Sequence, residues 1–198
     1  MGVEVVAATP GSWDIVDAVM GPSGGDARCW CQWWHQTTAE WDARGDDNRD
    51  KLQAQIDGGE VPGLVALVDG EPAGWIALGP RCGYSRIGRS RLTRPDPDRD
   101  RPFDDPTIWA ITCFVIRREH RRAGLMTTLL AAAVNHARAG GAEVIEAYPV
   151  DIAVAAEAGG RAPDPNLYYG VLSTFLKAGF EEVARPRADR ARVRRVLA

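Results

Sequence analysis

The stretch Cys113-Phe114-Val115-Ile116-Arg117-Arg118-Glu119-His120-Arg121-Arg122-Ala123-Gly124-Leu125-Met126-Thr127 carries the clearest chemistry in the sequence. An apolar strand runs into a short basic turn, and the turn opens a helix. The first amide N–H groups of a helix have no intrahelical acceptor, and the helix dipole adds positive potential there. Such a turn suits a phosphate or pyrophosphate. Gly124 lets the backbone approach a ligand closely, and Arg121 and Arg122 bring charge beside it. From the turn alone, an ordinary helix start with basic surface residues is the slightly stronger reading.

Other residues invite chemistry and have plainer explanations beside them. Glu146 and Tyr148 are two apart on an apolar strand and share a face. A carboxylate there is costly unless paired, so a salt bridge to one of the many arginines competes with any catalytic role. Tyr168 and Tyr169 open a helix, where packing is as good a reason for them as catalysis. Cys113 reads as a buried, inert thiol rather than a nucleophile, His120 as a solvated turn residue, and Asp151 as a loop residue or cap. Cys29-x-Cys31 with His35 and Cys82 suggests zinc, but the spacing is poor for a structural site, and no metal is expected. With Trp30, Trp33 and Trp34 these residues form an aromatic, thiol-rich wall instead.

The elements that must position these residues follow from pattern. Val3 to Ala8 reads as a strand, and Ser12 as a cap for a helix from Trp13 to Met20. Gly21 to Gly25 reads as a loop, and Thr37 or Thr38 as the cap of a helix running to about Ile56. Leu64 to Val68, Asp69-Gly70 and Ala73 to Leu78 make a hairpin. Residues 80–106 make a long loop rich in Arg, Pro and Asp, and loops of that length are often functional. Thr107 to Ile116 is a central strand, Gly124 to Ala139 a helix, Glu143 to Val150 a strand, Leu167 to Lys177 a helix, and the remainder one or two strands. The unit from Thr107 to Val150 is expected to be right-handed and parallel. The whole predicts one α/β (α+β mixed) domain over residues 1–198 with a mixed sheet.

Arg121-Arg122-Ala123-Gly124-Leu125-Met126 resembles the Arg/Gln-x-x-Gly-x-Gly/Ala motif of the GNAT superfamily of acyl-CoA N-acyltransferases. Phe114-Val115-Ile116 sits where that family has its pantetheine-binding strand, Leu129-Leu130 where the following helix has a pair of leucines, and Phe175-Leu176-Lys177-Ala178-Gly179-Phe180 resembles its Tyr-Glu-Lys-Leu-Gly-Phe stretch. The resemblance is specific from about Trp109 to Phe180. It implies a mostly antiparallel mixed sheet with helices on both faces and acetyl-CoA as acyl donor. It also implies a donor site of Phe114, Val115, Ile116, Arg121, Arg122, Ala123, Gly124, Leu125, Met126, Thr127 and Phe175. Met126 replaces the motif's last Gly or Ala, and Phe175 replaces a frequent catalytic tyrosine.

The resemblance further implies direct transfer. An amine attacks the thioester, main-chain N–H groups around Phe114 to Ile116 steady the oxyanion, and a base takes the amine's proton. Glu146 is the candidate base, Tyr148 the candidate acid or substrate contact, and Tyr168 or Tyr169 the replacement acid. The expected acceptor is a primary amine on a small molecule or protein, bound by the aromatic wall and the arginine-rich loop, whose guanidinium groups could hold an acidic group. Phe175 supports the alternative of a weak or inactive acyl-CoA-binding sensor or partner-binding module.

The bulk properties fit and exclude other classes. Hydrophobic residues make up 45% and charged residues 26% of the 198, which suits a globular domain with a real core. The net charge of −3, with only Tyr84 and Phe103 as aromatics in the arginine-rich segments, argues against a nucleic-acid partner. No apolar run reaches membrane-spanning length, and the N-terminus lacks a signal-peptide pattern, so the expectation is a cytoplasmic protein with no membrane partner. The arginines from Arg185 to Arg195 read as the outward face of an edge strand. A homodimer is open.

Overall fold

The computed structural model describes residues 2–21, 29–42, 47–157 and 167–197. Among these, strands β1 (Val3–Ala7), β2 (Gly63–Val68), β3 (Glu71–Pro80), β4 (Ile108–Ile116), β5 (Val144–Ala147), β6 (Glu181–Arg187) and β7 (Arg190–Val196) join one sheet in the order β1-β2-β3-β4-β5-β7-β6. Neighbouring strands are antiparallel except β4 and β5, which run parallel. The β2–β3 hairpin turns on Asp69 at φ 50° and Gly70 at φ 88°. Two positive φ values in sequence match the right-handed twist of the strands they join.

Helices cover both faces because each inner strand is apolar on both. Leu64, Ala66, Ile76 and Phe114 pack on one side, against Leu125, Leu129, Leu130 and Ala133 of α5 (Leu125–Ala139) and Leu172 and Phe175 of α7 (Leu172–Lys177). Val65, Trp75, Ala77, Cys113 and Val115 face the other way, against α1 (Trp13–Met20) and α3 (Asn48–Asp57). The short helices α2 (Thr38–Asp42), α4 (Ser85–Arg89) and α6 (Ile152–Glu157) complete the layers. Thr37 starts α2: its hydroxyl accepts the Glu40 N–H at 3.2 Å and Glu40 returns a carboxylate to the Thr37 N–H at 2.6 Å.

Several boundaries differ from the sequence reading. The helix expected from Thr38 to Ile56 is α2 and α3, and the stretch 43–46 between them, with Asp46, lies outside the described residues, as does most of the Gly21 to Gly25 loop. The long loop contains α4. The helix expected from Leu167 to Lys177 begins at Leu172 instead. Tyr168 and Tyr169 lie in a turn, and Gly170 at φ 80° breaks any helix through it. A side chain at Gly170 would meet Phe175 at 2.7 Å, so the turn fits only glycine.

Of the C-terminal arginines, Arg185 and Arg187 do lie exposed on the edge strand β6, but those of β7 do not line an edge. β7 lies inside the sheet between β5 and β6, and Arg194 stands opposite Glu146 across the β5–β7 ladder. Glu146 is fully buried. Its Oε1 accepts Arg194 Nη2 at 2.6 Å, and its Oε2 accepts Arg81 Nη1 at 3.2 Å and the Tyr148 hydroxyl at 3.3 Å. Arg194 and Arg192 both continue to Asp100, at 2.7 and 2.6 Å. Burial alone would raise the Asp100 pKa, but the hydrogen bonds from the Asp96 main chain, Arg194 and Arg192 hold it below the ordinary aspartate value. This network ties β5 and β7 to the long loop. Truncating one member leaves buried charge uncompensated. Glu146→Ala is therefore expected to lose about 3–5 kcal/mol in urea unfolding.

Candidate functional site

β4 and β5 pair only from Ile108–Val144 to Ile111–Ala147. Beyond that the strands part, and β4 runs on to Ile116 paired with β3 only. At the same place Thr112 drops out of register with β3, because Ala77 pairs with Cys113 and Leu78 with Ile111. The Arg117 N–H bonds Ala73, so by antiparallel alternation the N–H groups of Phe114 and Ile116 point away from β3, into the gap. The chain from Tyr168 to Val171 bridges the gap. The Tyr168 carbonyl accepts the Phe114 N–H at 2.7 Å, and the Gly170 carbonyl accepts the Val150 N–H at 2.9 Å.

Beside this bridge lies a crevice of about 450 Å³, lined by Phe114, Ile116, Arg121, Arg122, Gly124, Leu125, Met126, Thr127, Leu167, Tyr168, Val171 and Thr174. Gly124, at φ 81°, is the N-cap of α5, and a side chain there would meet nothing within 4 Å. The cradle is therefore open at the point where the unpaired amides of the first helical turn emerge. Arg121 braces the turn by donating Nε to the Ile116 carbonyl at 3.1 Å. Arg122 adopts φ 64°, a strained value for a non-glycine residue.

On the opposite face of β4 lies an aromatic pocket of about 380 Å³. Met20, Cys29, Trp30, Cys31, Trp33, Trp34, Trp41, Thr112, Cys113, Val115, Tyr168 and Tyr169 line it. Tyr168 lines both cavities and stands between them. The Trp34 indole donates to the Thr112 carbonyl at 3.1 Å, which anchors the wall to the register break in β4. Trp30 and Cys31 are consecutive left-handed residues, at φ 45° and 57°, a costly conformation held by the wall around it. The described lining contains no carboxylate, imidazole or guanidinium.

A sequence profile of the acetyltransferase (GNAT) family matches residues 28–157. The chain belongs to the acetyltransferase (GNAT) family. Among curated proteins none matches it significantly. Solved structures that share the fold include an N-acetyltransferase from Staphylococcus aureus Mu50, with 15% identity, TM-score 0.55 and 100% of both chains covered. A PaiA N-acetyltransferase from Thermoplasma acidophilum in complex with coenzyme A has 13% identity, TM-score 0.53 and 99% of both chains covered. A ribosomal-protein-alanine N-acetyltransferase from Brucella melitensis has 19% identity and TM-score 0.54, with 98% of this chain and 99% of that one covered.

In this acetyltransferase-family chain the residues expected at a donor site separate into four groups. Phe114, Ile116, Arg121, Arg122, Gly124, Leu125, Met126 and Thr127 line the crevice; Val115 lines the aromatic pocket instead, because successive residues of a strand face opposite ways. Ala123 is exposed on the turn and is not among the lining residues. Phe175 is fully buried behind the crevice, edge-on to Phe114 at 6.0 Å and Phe180 at 5.2 Å, so it is core and not contact. Leu167, Val171 and Thr174 are lining residues that the sequence did not signal, since they reach the crevice only through the bend at Gly170.

The catalytic candidates also separate. Glu146 and Tyr148 do share a face, but it points into the arginine network. Both Glu146 oxygens are engaged there, and neither residue lines the crevice or the aromatic pocket. With both oxygens so engaged and neither cavity reached, the structure does not bring Glu146 to where an amine would be deprotonated. Burial and the Glu146 carboxylate push the Tyr148 phenol well above its ordinary pKa. Tyr168 alone of these three borders both cavities. Asp151 accepts the Ala153 and Val154 N–H groups at 3.2 and 3.4 Å, as a cap for α6, and pairs with Arg185.

Among the described residues no three Cys, His, Asp or Glu side chains gather as a metal site. His35 binds the Gly83 carbonyl through Nδ1, and burial lowers its pKa. A hydrogen bond with the Cys31 thiol, together with burial, pushes the Cys113 thiol well above its ordinary pKa. Thiolate is the reactive form. Iodoacetamide at neutral pH is therefore expected to label exposed Cys82 first and Cys113 last, as read by peptide mass spectrometry.

Proposed function

We propose that this chain transfers an acetyl group from acetyl-CoA to a primary amine by direct attack. The observation that carries the reading is the open cradle at Gly124, set beside the parted edge of β4, with Tyr168 lining both its crevice and the aromatic pocket. The pyrophosphate of the donor lies on the amides of the first turn of α5, with Arg121 and Arg122 beside it. The thioester lies along β4, where the Phe114 and Ile116 amides face the gap. Since the Phe114 N–H is held by the Tyr168 carbonyl, a thioester oxygen takes that donor only by displacing this bond.

The acceptor amine enters from the aromatic pocket. Its nitrogen attacks the thioester carbon, the carbon–sulfur bond breaks, and the leaving thiolate takes a proton from the Tyr168 hydroxyl, which is replenished from water. With no carboxylate or imidazole in the described pocket lining, the amine gives its proton to water. Coenzyme A titrated calorimetrically into Gly124→Asp is expected to bind about tenfold more weakly or worse, since like charge at the phosphates need cost only ~1.4 kcal/mol for that. Unchanged affinity overturns the cradle.

Tyr168→Phe keeps the carbonyl that bonds Phe114 and removes only the hydroxyl. Its kcat in a thiol-release assay should fall by about 10²–10⁴-fold, the usual size of a general-acid contribution, with coenzyme A affinity unchanged. Tight donor binding without thiol release on any amine would instead favour a sensor, a reading to which buried Phe175 and the occupied Phe114 amide both lend support.

A further inference from the structure

The aromatic pocket does not end at its tryptophans. Trp33, Trp34 and Tyr169 also wall an adjoining cavity of about 330 Å³, on the side away from the donor crevice. Its character is different. Arg86, Arg187 and Arg190 line it, and no Asp or Glu is among the described lining residues. Arg187 is committed to Asp189 at 2.8 Å. Arg86 is not committed in that way. Its guanidinium carbon lies 3.6 Å from the Trp33 ring centroid, Nε donates to the Trp33 carbonyl at 2.7 Å and Nη1 to the Thr38 hydroxyl at 3.3 Å. Its Nη2 is buried without a hydrogen-bond partner. Arg190 lies over Tyr169, 4.4 Å from the ring centroid.

Burial lowers the pKa of both Arg86 and Arg190, which marks cations short of hydration. Stacking and two neutral acceptors leave Arg86 with one donor unanswered and its charge offset only at longer range by Asp42, and an unsatisfied buried donor is costly. A carboxylate satisfies both, because it matches the guanidinium fork. Between this cavity and the donor crevice the walls are flat indole and phenol rings, which favour a flat apolar spacer. The ring faces also favour an ammonium end before it loses its proton.

We propose that the acceptor is a primary amine that also bears a carboxylate, with a flat apolar spacer between them. The amine end occupies the aromatic pocket beside the crevice, and the carboxylate pairs with Arg86 in the basic cavity. This rests on the transferase reading above and names the acceptor class it lacks.

Three matched probes test it: 4-(aminomethyl)benzoate, its neutral carboxamide, and benzylamine. Each is titrated calorimetrically into the protein saturated with coenzyme A, and each is tried with acetyl-CoA in the thiol-release assay. The benzoate is expected to bind about tenfold or more tightly than the carboxamide, as a charge-assisted pair with a desolvated arginine allows. Arg86→Gln should abolish that advantage and leave benzylamine binding unchanged. Arg86→Lys, which keeps charge but loses the fork, should retain only part of it, and stands in if the glutamine variant does not fold. Equal binding of benzoate and carboxamide to the unaltered protein, no binding of any probe, or an advantage that survives in Arg86→Gln overturns the proposal. Selective benzoate binding without thiol release from any probe would keep the acidic-amine site and count against the transferase reading, so the two failures are distinct.

Discussion

A buried strand cannot leave its main-chain donors and acceptors unpaired, and β4 loses its β5 neighbour after Ile111. Much of the candidate site is the answer to that single constraint. The Tyr168 carbonyl covers the Phe114 N–H, the Trp34 indole covers the Thr112 carbonyl, and the Gly170 carbonyl covers the Val150 N–H beyond β5. Each substitute brings part of a cavity wall with it. The crevice, the aromatic pocket and the tyrosine between them are thus consequences of one sheet coming apart in one place.

Charge braces the sheet next to the parting. Glu146 pairs with Ala110 one step before the last β4–β5 pair, and its ion pairs with Arg81 and Arg194 anchor β5 to β7 and to the loop. Such a network is weak evidence for net stability, because desolvation offsets most of the attraction. Its effect is to fix geometry, since losing any one member strands the others. Arg86 illustrates the opposite case in the same molecule. It is stacked on Trp33 and partly desolvated, and its buried Nη2 has no hydrogen-bond partner.

Much of the fold was legible locally. The Asp69-Gly70 turn, the apolar run of β4, the leucine face of α5 and the stop at Gly140-Gly141 are all features that neighbouring residues decide among themselves. The basic turn ending in Gly124 was legible for the same reason. What was misread depended on distant contacts. Tyr168 and Tyr169 fit a helical pattern until Gly170 is required to pass Phe175 at close range. The arginines of β7 alternate like an outward face, and only the insertion of β7 beside β5 turns Arg192 and Arg194 inward toward Asp100 and Glu146.

The sequence by itself determined the strand–turn–helix that can cradle a phosphate, because amides, dipole and glycine act within one turn of chain. It also determined that Glu146 and Tyr148 share a face, because alternation is a property of any strand. Only the tertiary structure decided what that face meets. It turned a candidate base into a buried ion pair, put Phe175 in the core, and brought Tyr168 to the wall between two cavities. The reason is physical: the partner that sets a side chain's proton affinity or exposure lies tens of residues away, and pattern along the chain carries no record of which strands become neighbours.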